Sequence, residues 1–274
     1  MERLCRVAAV LLSLLLTAPT RSAAQSAQRG EHRCVVIFDE QRQNAWRSDA
    51  GLCATPLSPA STFKIPHALV ALETGVITTN TVEKWDGTRH PQQPLWNRDH
   101  TVLSAMKPSV LWFFQRIAPR IGASRMHAWL DRLHYGNADT SGDVTRYWVN
   151  GVLRVSPEQQ VAFLRQFYAQ TLPVRVEYQR AVTDALEQKP GTQQNARGVH
   201  SLAGTWPANA ALNAKTGATT TEGEGVSWLV GALTVGGARY VFASAVWRDG
   251  AGVDQLAATH DAIATFRERH ILPQ

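Results

Sequence analysis

The chain has 274 residues, enough for one large domain or two small ones, and its 44% hydrophobic content suits a globular protein with a real core. A formal net charge of +6 is modest, and arginines such as Arg116, Arg120, Arg125 and Arg132 are scattered rather than gathered with aromatics, which argues against nucleic-acid binding. No histidines or cysteines fall at metal-ligand spacing, neither H-E-x-x-H nor C-x-x-C, so no metal is expected.

Arg3 and Arg6 precede an apolar run at residues 7–16, followed by the small residues Ser22-Ala23-Ala24. This order of charged, apolar and small segments reads as an export signal cleaved near residue 24, too short for the ~20 residues of a membrane span. Residues 25–274 are then expected to form a single domain that keeps only Cys34 and Cys53. In an oxidising compartment these two are expected to form a disulfide, the alternative being two buried thiols. Residues 34–38 read as a buried strand, and the polar stretch at 39–44 turns it toward a second strand.

A helix is predicted over 61–74, stopped by Gly75, with Pro66 either costing one backbone bond or marking a tightened first turn. Residues 77–100 read as loop. Helical periodicity returns at 110–121, 124–133, 157–170 and 176–186, with Ser156-Pro157 as cap and first residue of the third of these. Residues 189–204 are polar and read as irregular. Strands are predicted at 211–215, 226–235 and 239–246, the last two joined by Gly236-Gly237, and a helix closes the chain over 254–270. Strands thus gather at the two chain ends. The expected fold is α/β of the α+β type: a mainly antiparallel sheet built from both ends, flanked by helices, with a mostly helical lobe of about 77–205 inserted.

Two elements carry the chemistry. Ser61-Thr62-Phe63-Lys64 places a hydroxyl and an amine one turn apart on one face, at a helix start where the dipole is positive. Serine attacks when a base takes its proton, and lysine is a base only when uncharged, which burial favours. The spacing alone is weak. It should occur by chance roughly once in such a chain, and taken alone it favours an N-cap serine beside an exposed lysine. Ser104-Ala105-Met106-Lys107 is a second match, but it runs into Pro108 and lacks a helix-start context.

Lys215-Thr216-Gly217 ends an apolar strand before a threonine-rich turn. Lys215 and Thr216 would hold a substrate carboxylate, and Gly217 would let substrate backbone approach. Backbone N–H groups of Ser61 and Ala218 would form an oxyanion hole. Alone, the tripeptide is also an ordinary turn. Ser109 is either a helix cap or a proton relay between Lys64 and a leaving group. Tyr135-Gly136-Asn137 is either a helix C-cap or a third polar corner of a cleft. Trp148 is either core or an indole N–H aimed at the catalytic lysine.

Ser-x-x-Lys, a central serine and Lys-Thr-Gly, in that order, make the set of the penicillin-recognising serine acyltransferases. With Pro59-Ala60-Ser61-Thr62-Phe63-Lys64-Ile65-Pro66, Trp85-Asp86-Gly87, Ser109 and Tyr135-Gly136-Asn137, the chain resembles a class D (oxacillinase-type) serine β-lactamase over essentially all of residues 33–274. The resemblance implies two-step hydrolysis of β-lactam antibiotics through a Ser61 acyl-enzyme, in the periplasm of a Gram-negative bacterium. It implies Lys64 as an N6-carboxylysine, a carbamate made with CO2 or bicarbonate, serving as base in both steps and hydrogen-bonded by Trp148. Ser61, Lys64, Ser109 and Trp148 would be catalytic; Tyr135, Asn137, Lys215, Thr216, Gly217 and Ala218 would meet substrate. No bound cofactor, nucleic acid or stable membrane anchor is expected, and the chain would be a monomer or homodimer.

Two further substrate-side positions depart from the family pattern. Leu111 stands where valine is usual, and its bulk would alter access of the deacylating water. His260 stands where the last helix commonly carries a carboxylate-binding arginine, and it is a weaker, pH-dependent cation. The alternative functions are a β-lactam sensor domain, or a penicillin-binding transpeptidase or carboxypeptidase that acylates without fast deacylation.

Overall fold

The apolar run at 34–38 lies within a nine-residue strand, β1 (Glu31–Asp39), which a short turn returns as β2 (Asn44–Arg47). The structure is a computed structural model describing residues 30–221, 223–250 and 252–274; the export signal read at 1–24 lies outside the described residues. In chain order there follow α1 (Ala50–Cys53), a 3-10 turn (Ala60–Phe63) running directly into α2 (Lys64–Glu73), then α3 (Val102–Met106) and α4 (Leu111–Ile121). Next come α5 (Ala123–Arg132), α6 (Pro157–Tyr168) and α7 (Val176–Ala185). Strands return as β3 (Glu187–Gln188), β4 (Thr192–Asn195), β5 (Gly198–Ser201), β6 (Ala211–Thr220), β7 (Glu224–Val235) and β8 (Ala238–Asp249), before the closing α8 (Ala257–Glu268).

One antiparallel sheet, in the order β2-β1-β8-β7-β6-β3, joins the two chain ends by pairing β1 with β8. Val35 and Ile37 pack with Ala258, Ala262 and Phe266 of α8 on one face, where Phe242 meets Phe266 edge-on at 4.9 Å. Cys34, Val36 and Phe38 belong to the larger core on the helical side, which α6 covers. Side chains alternate faces along a strand, and with both faces covered 34–38 is apolar without a break. Cys34 and Cys53 form a disulfide with Cα atoms 5.2 Å apart, tying β1 to α1. Residues Glu31–Gln274 make one compact unit. Among the described residues no helix is long and apolar enough to cross a membrane.

Three expectations are corrected. Residues 189–204 are not irregular: β4 and β5 form a hairpin, and β3 joins the edge of the sheet, so the inserted lobe is helical only as far as Ala185. No apolar alternation marks β4 because the side chains it buries are Gln193 and Asn195. Ser104 does have a helix-start context: Thr101 caps α3, with Thr101 and Ser104 each accepting the other's backbone N–H. Its hydroxyl is thereby engaged in the cap. The strand expected at 211–215 runs on to Thr220, paired with β7 as far as Gly225, so Lys215-Thr216-Gly217 sits inside β6 rather than at a turn. The threonines read as a turn are good strand formers.

Candidate active site

The helix expected to begin at Ser61 begins at Lys64, and Ser61 sits in the tightened 3-10 turn before it. Ala60 there adopts φ 46°, a left-handed conformation uncommon outside glycine. The turn is braced from behind: Gln160 Nε2 of α6 donates to Thr62 Oγ1 at 2.7 Å, and that hydroxyl donates to the Pro59 carbonyl at 2.7 Å.

Lys64 Nζ donates to Ser61 Oγ at 2.7 Å. Lys64 is completely buried, with its amine 5.4 Å from the centre of the Phe114 ring. Burial without a compensating carboxylate pulls its pKa down to about 7, so near neutrality much of it is uncharged amine. The opposite wall is β6. Lys215 Nζ donates to Ser109 Oγ at 3.0 Å and to the Thr216 carbonyl at 2.8 Å. Burial, and then the charge of Lys64, hold Lys215 well below its ordinary pKa. Ser109 is itself left-handed, with φ 58°. Two strained non-glycine residues therefore border the Ser61–Lys64 pair.

Ser61, Ser109, Leu111, Thr216, Gly217 and Ala218 line one cleft. Gln93, Trp96, Val149, Arg197 and Gln255 share it, and no sequence signal marked them. Gly217 takes a different part from the one expected. A Cβ at this position would lie 3.0 Å from Thr62 Cγ2 and 3.1 Å from the Pro59 carbonyl, so the backbone it admits is the protein's own turn around Ser61.

Trp148 lies behind the cleft rather than in its wall, fully buried. It stacks on Phe63 at 5.6 Å and meets His67 edge-on at 5.3 Å, the residues one before and three after Lys64. Ser58 Oγ donates to the Val149 carbonyl at 3.0 Å and so fastens this segment to the start of the Ser61 turn.

Tyr135 and Asn137 are not a corner of the cleft. Tyr135 is buried edge-on against Phe163 at 5.1 Å. Asn137 donates through Nδ2 to the Val152 carbonyl at 2.9 Å and accepts from the Arg154 N–H at 2.9 Å. Gly136, at φ 58°, passes so close to this segment that a Cβ would stand 2.1 Å from the Arg154 carbonyl oxygen. The tripeptide therefore fastens the chain that delivers Trp148. Gly136→Ala combines a left-handed backbone with a backbone clash and should destabilise the fold by about 3 kcal/mol. Urea unfolding checks this, and an unchanged midpoint would contradict the fastening role.

His260 is also misplaced by the sequence reading. It is exposed on α8 and outside the cleft. Ala258 and Ala262 of this helix face the sheet, and a residue two positions from each points away from it.

Residues 22–265 match the family model described as the penicillin binding protein transpeptidase domain. Over 153 residues the chain is 40% identical to β-lactamase OXA-48 of Klebsiella pneumoniae, covering 56% of this chain and 57% of that protein. The chain thus spans little more than half the length of that relative. Its fold is similar to class D β-lactamase BAT-2, with a TM-score of 0.74 at 28% identity over 89% of this chain and 94% of that one. It is also similar to the C-terminal domain of the Bacillus licheniformis BlaR penicillin-receptor, with a TM-score of 0.76 at 27% identity over 89% and 92%.

Proposed function

Because this chain belongs to the penicillin-binding-protein transpeptidase family, in its class D serine β-lactamase branch, we propose that it hydrolyses β-lactams through an acyl-enzyme on Ser61. The observation that carries the proposal is the 2.7 Å contact between Ser61 Oγ and a buried amine whose pKa lies near 7. Ser61 Oγ attacks the lactam carbonyl carbon as its proton passes to the acceptor at position 64. Backbone N–H groups of Ser61 and Ala218 receive the developing oxyanion. The lactam C–N bond then breaks, and the ring nitrogen takes a proton by way of Ser109, which Lys215 holds in place. Water attacks the resulting ester, gives its proton to the acceptor at position 64, and Ser61 leaves with its hydroxyl restored.

The proposal includes a carbamate on Lys64, formed with CO2 or bicarbonate. Only an uncharged amine reacts with CO2, and Lys64 is one for much of the time at neutral pH. Trp148 Nε1 is buried with no acceptor among the described residues, a donor suited to a carbamate oxygen. When present, that group supplies a carboxylate-type proton acceptor at position 64. Export to the periplasm is part of the same reading; it rests on residues 1–24 and agrees with the Cys34–Cys53 disulfide.

Similarity to the BlaR penicillin-receptor favours a second reading, in which the chain is acylated and stays so. Mixing the protein with excess chromogenic cephalosporin separates the two. Hydrolysis predicts many turnovers per active site, accelerated by added bicarbonate. A burst of one equivalent with no further colour would overturn hydrolysis and leave the receptor reading.

A further inference from the structure

The β4–β5 hairpin, in the stretch that read as irregular, brings its tip to the cleft beside Ser61. Asn195, Ala196 and Arg197 line the cleft there, and Arg197 is the one charged side chain among its described lining residues. We propose that Arg197 receives the substrate carboxylate, so that the cation comes from the hairpin and not from the last helix. The proposal rests on the β-lactam reading and specifies how that same site chooses its substrate.

Four observations support it. First, the hairpin is anchored to the strand that forms the cleft wall. Gln188 Oε1 accepts from the Gln194 N–H at 2.9 Å, and Gln188 Nε2 donates at 3.1 Å to the carbonyl of Ala214, the residue before Lys215. Second, the tip itself is held. Asn195, nearly buried, accepts through Oδ1 from the Arg197 N–H at 2.8 Å and contacts His200 Nε2 at 3.0 Å. A rigid support matters, because an arginine on a wandering loop would lose most of its binding gain to ordering. Third, the Arg197 side chain is exposed and makes no ion pair with a described carboxylate, so its charge is available to a ligand.

Fourth, the other cations near the cleft are committed elsewhere. Lys215 turns inward to Ser109 and the Thr216 carbonyl and is buried, while His260 lies off the cleft. The lowering of the Lys215 pKa by burial, and then by the charge of Lys64, points the same way. A guanidinium presents two parallel N–H donors that match a carboxylate and keeps its charge at any working pH. Thr216, in the same cleft, offers a hydroxyl to the same group. The chemical class expected is therefore a β-lactam with a carboxylate beside the lactam nitrogen.

The test compares a chromogenic cephalosporin with its carboxylate methyl ester on the unaltered protein, Arg197→Ala and Arg197→Lys. Arg197→Ala should lower kcat/KM for the acid by about 10- to 100-fold, mostly through KM, because the lost contact is made in ground and transition states alike. The ester, a poorer substrate from the start, should change less than about threefold, and Arg197→Lys should keep part of the preference for the acid. If Arg197→Ala changed the acid less than about threefold, or slowed acid and ester equally, the proposal would be overturned while the hydrolase reading stood. If the unaltered protein were not acylated by either compound, both readings would fall together.

Discussion

Ser61→Ala and Lys64→Ala should each lower kcat/KM for a chromogenic β-lactam by about 10⁴-fold or more, and the double variant should be no worse than the poorer single one. The non-additivity follows from geometry. Ser61 Oγ and Lys64 Nζ share one hydrogen bond of 2.7 Å, so a hydroxyl without its acceptor and an acceptor without its hydroxyl are equally idle. The pH profile belongs to the same prediction. Burial sets the Lys64 pKa at about 7, so kcat/KM of the unaltered protein should fall as pH drops through that value and the amine gains its proton. Multiplicative losses in the double variant would show that the two residues act on separate steps. Retention of turnover in Ser61→Ala would remove the acyl-enzyme altogether. Mass spectrometry of the quenched reaction supplies the second readout: the β-lactam adduct should be present on the unaltered protein and absent from Ser61→Ala.

Trp148→Phe should separate the two chemical steps. The change keeps an aromatic ring against Phe63 and His67 but removes the indole N–H, which is buried and has no acceptor among the described residues. If that N–H steadies a carbamate oxygen, its loss releases CO2 from Lys64 most readily in the long-lived acyl-enzyme. Deacylation should slow by about 100-fold, acylation by less than tenfold, and acyl-enzyme should accumulate, with bicarbonate restoring part of the rate. A merely structural tryptophan would behave differently: both steps would decline together, in step with a lower Tm, and bicarbonate would not help. Such a result would sink the carbamate assignment while leaving Ser61 as nucleophile.

Ser61 and Lys64 were legible as a pair because their relation is local. Residues three apart in a tight helical start share a face in almost any fold, and the ordered downstream motifs made chance an inadequate explanation. The strands at 34–38 and 226–246 were legible for a similar reason, since burial on both faces leaves an apolar run. Tyr135-Gly136-Asn137 shows where local reading stops. Its polar and flexible residue types suit a cleft corner and a loop clasp equally, and only the path of residues 152–154 past Gly136 distinguishes them. Ser104 shows the reverse error, a helix start missed because its cap uses a serine in place of the usual acid or amide.

By itself, then, the sequence determined the family, the pairing of Ser61 with the amine of Lys64 and a sheet drawn from both chain ends. These depend on residue types at short spacing and on the period of apolar positions. Tertiary structure alone decided the electrical state of the site and its far wall. Lys64 has its pKa near 7 because Phe114 and other distant side chains shut water away from it, and no spacing encodes that enclosure. Arg197, not His260, reaches the cleft because a hairpin with polar buried faces folds back onto β6 while α8 turns His260 outward. Desolvation and the direction of a side chain are properties of packing between segments far apart in the chain, so they appear only when the fold is complete.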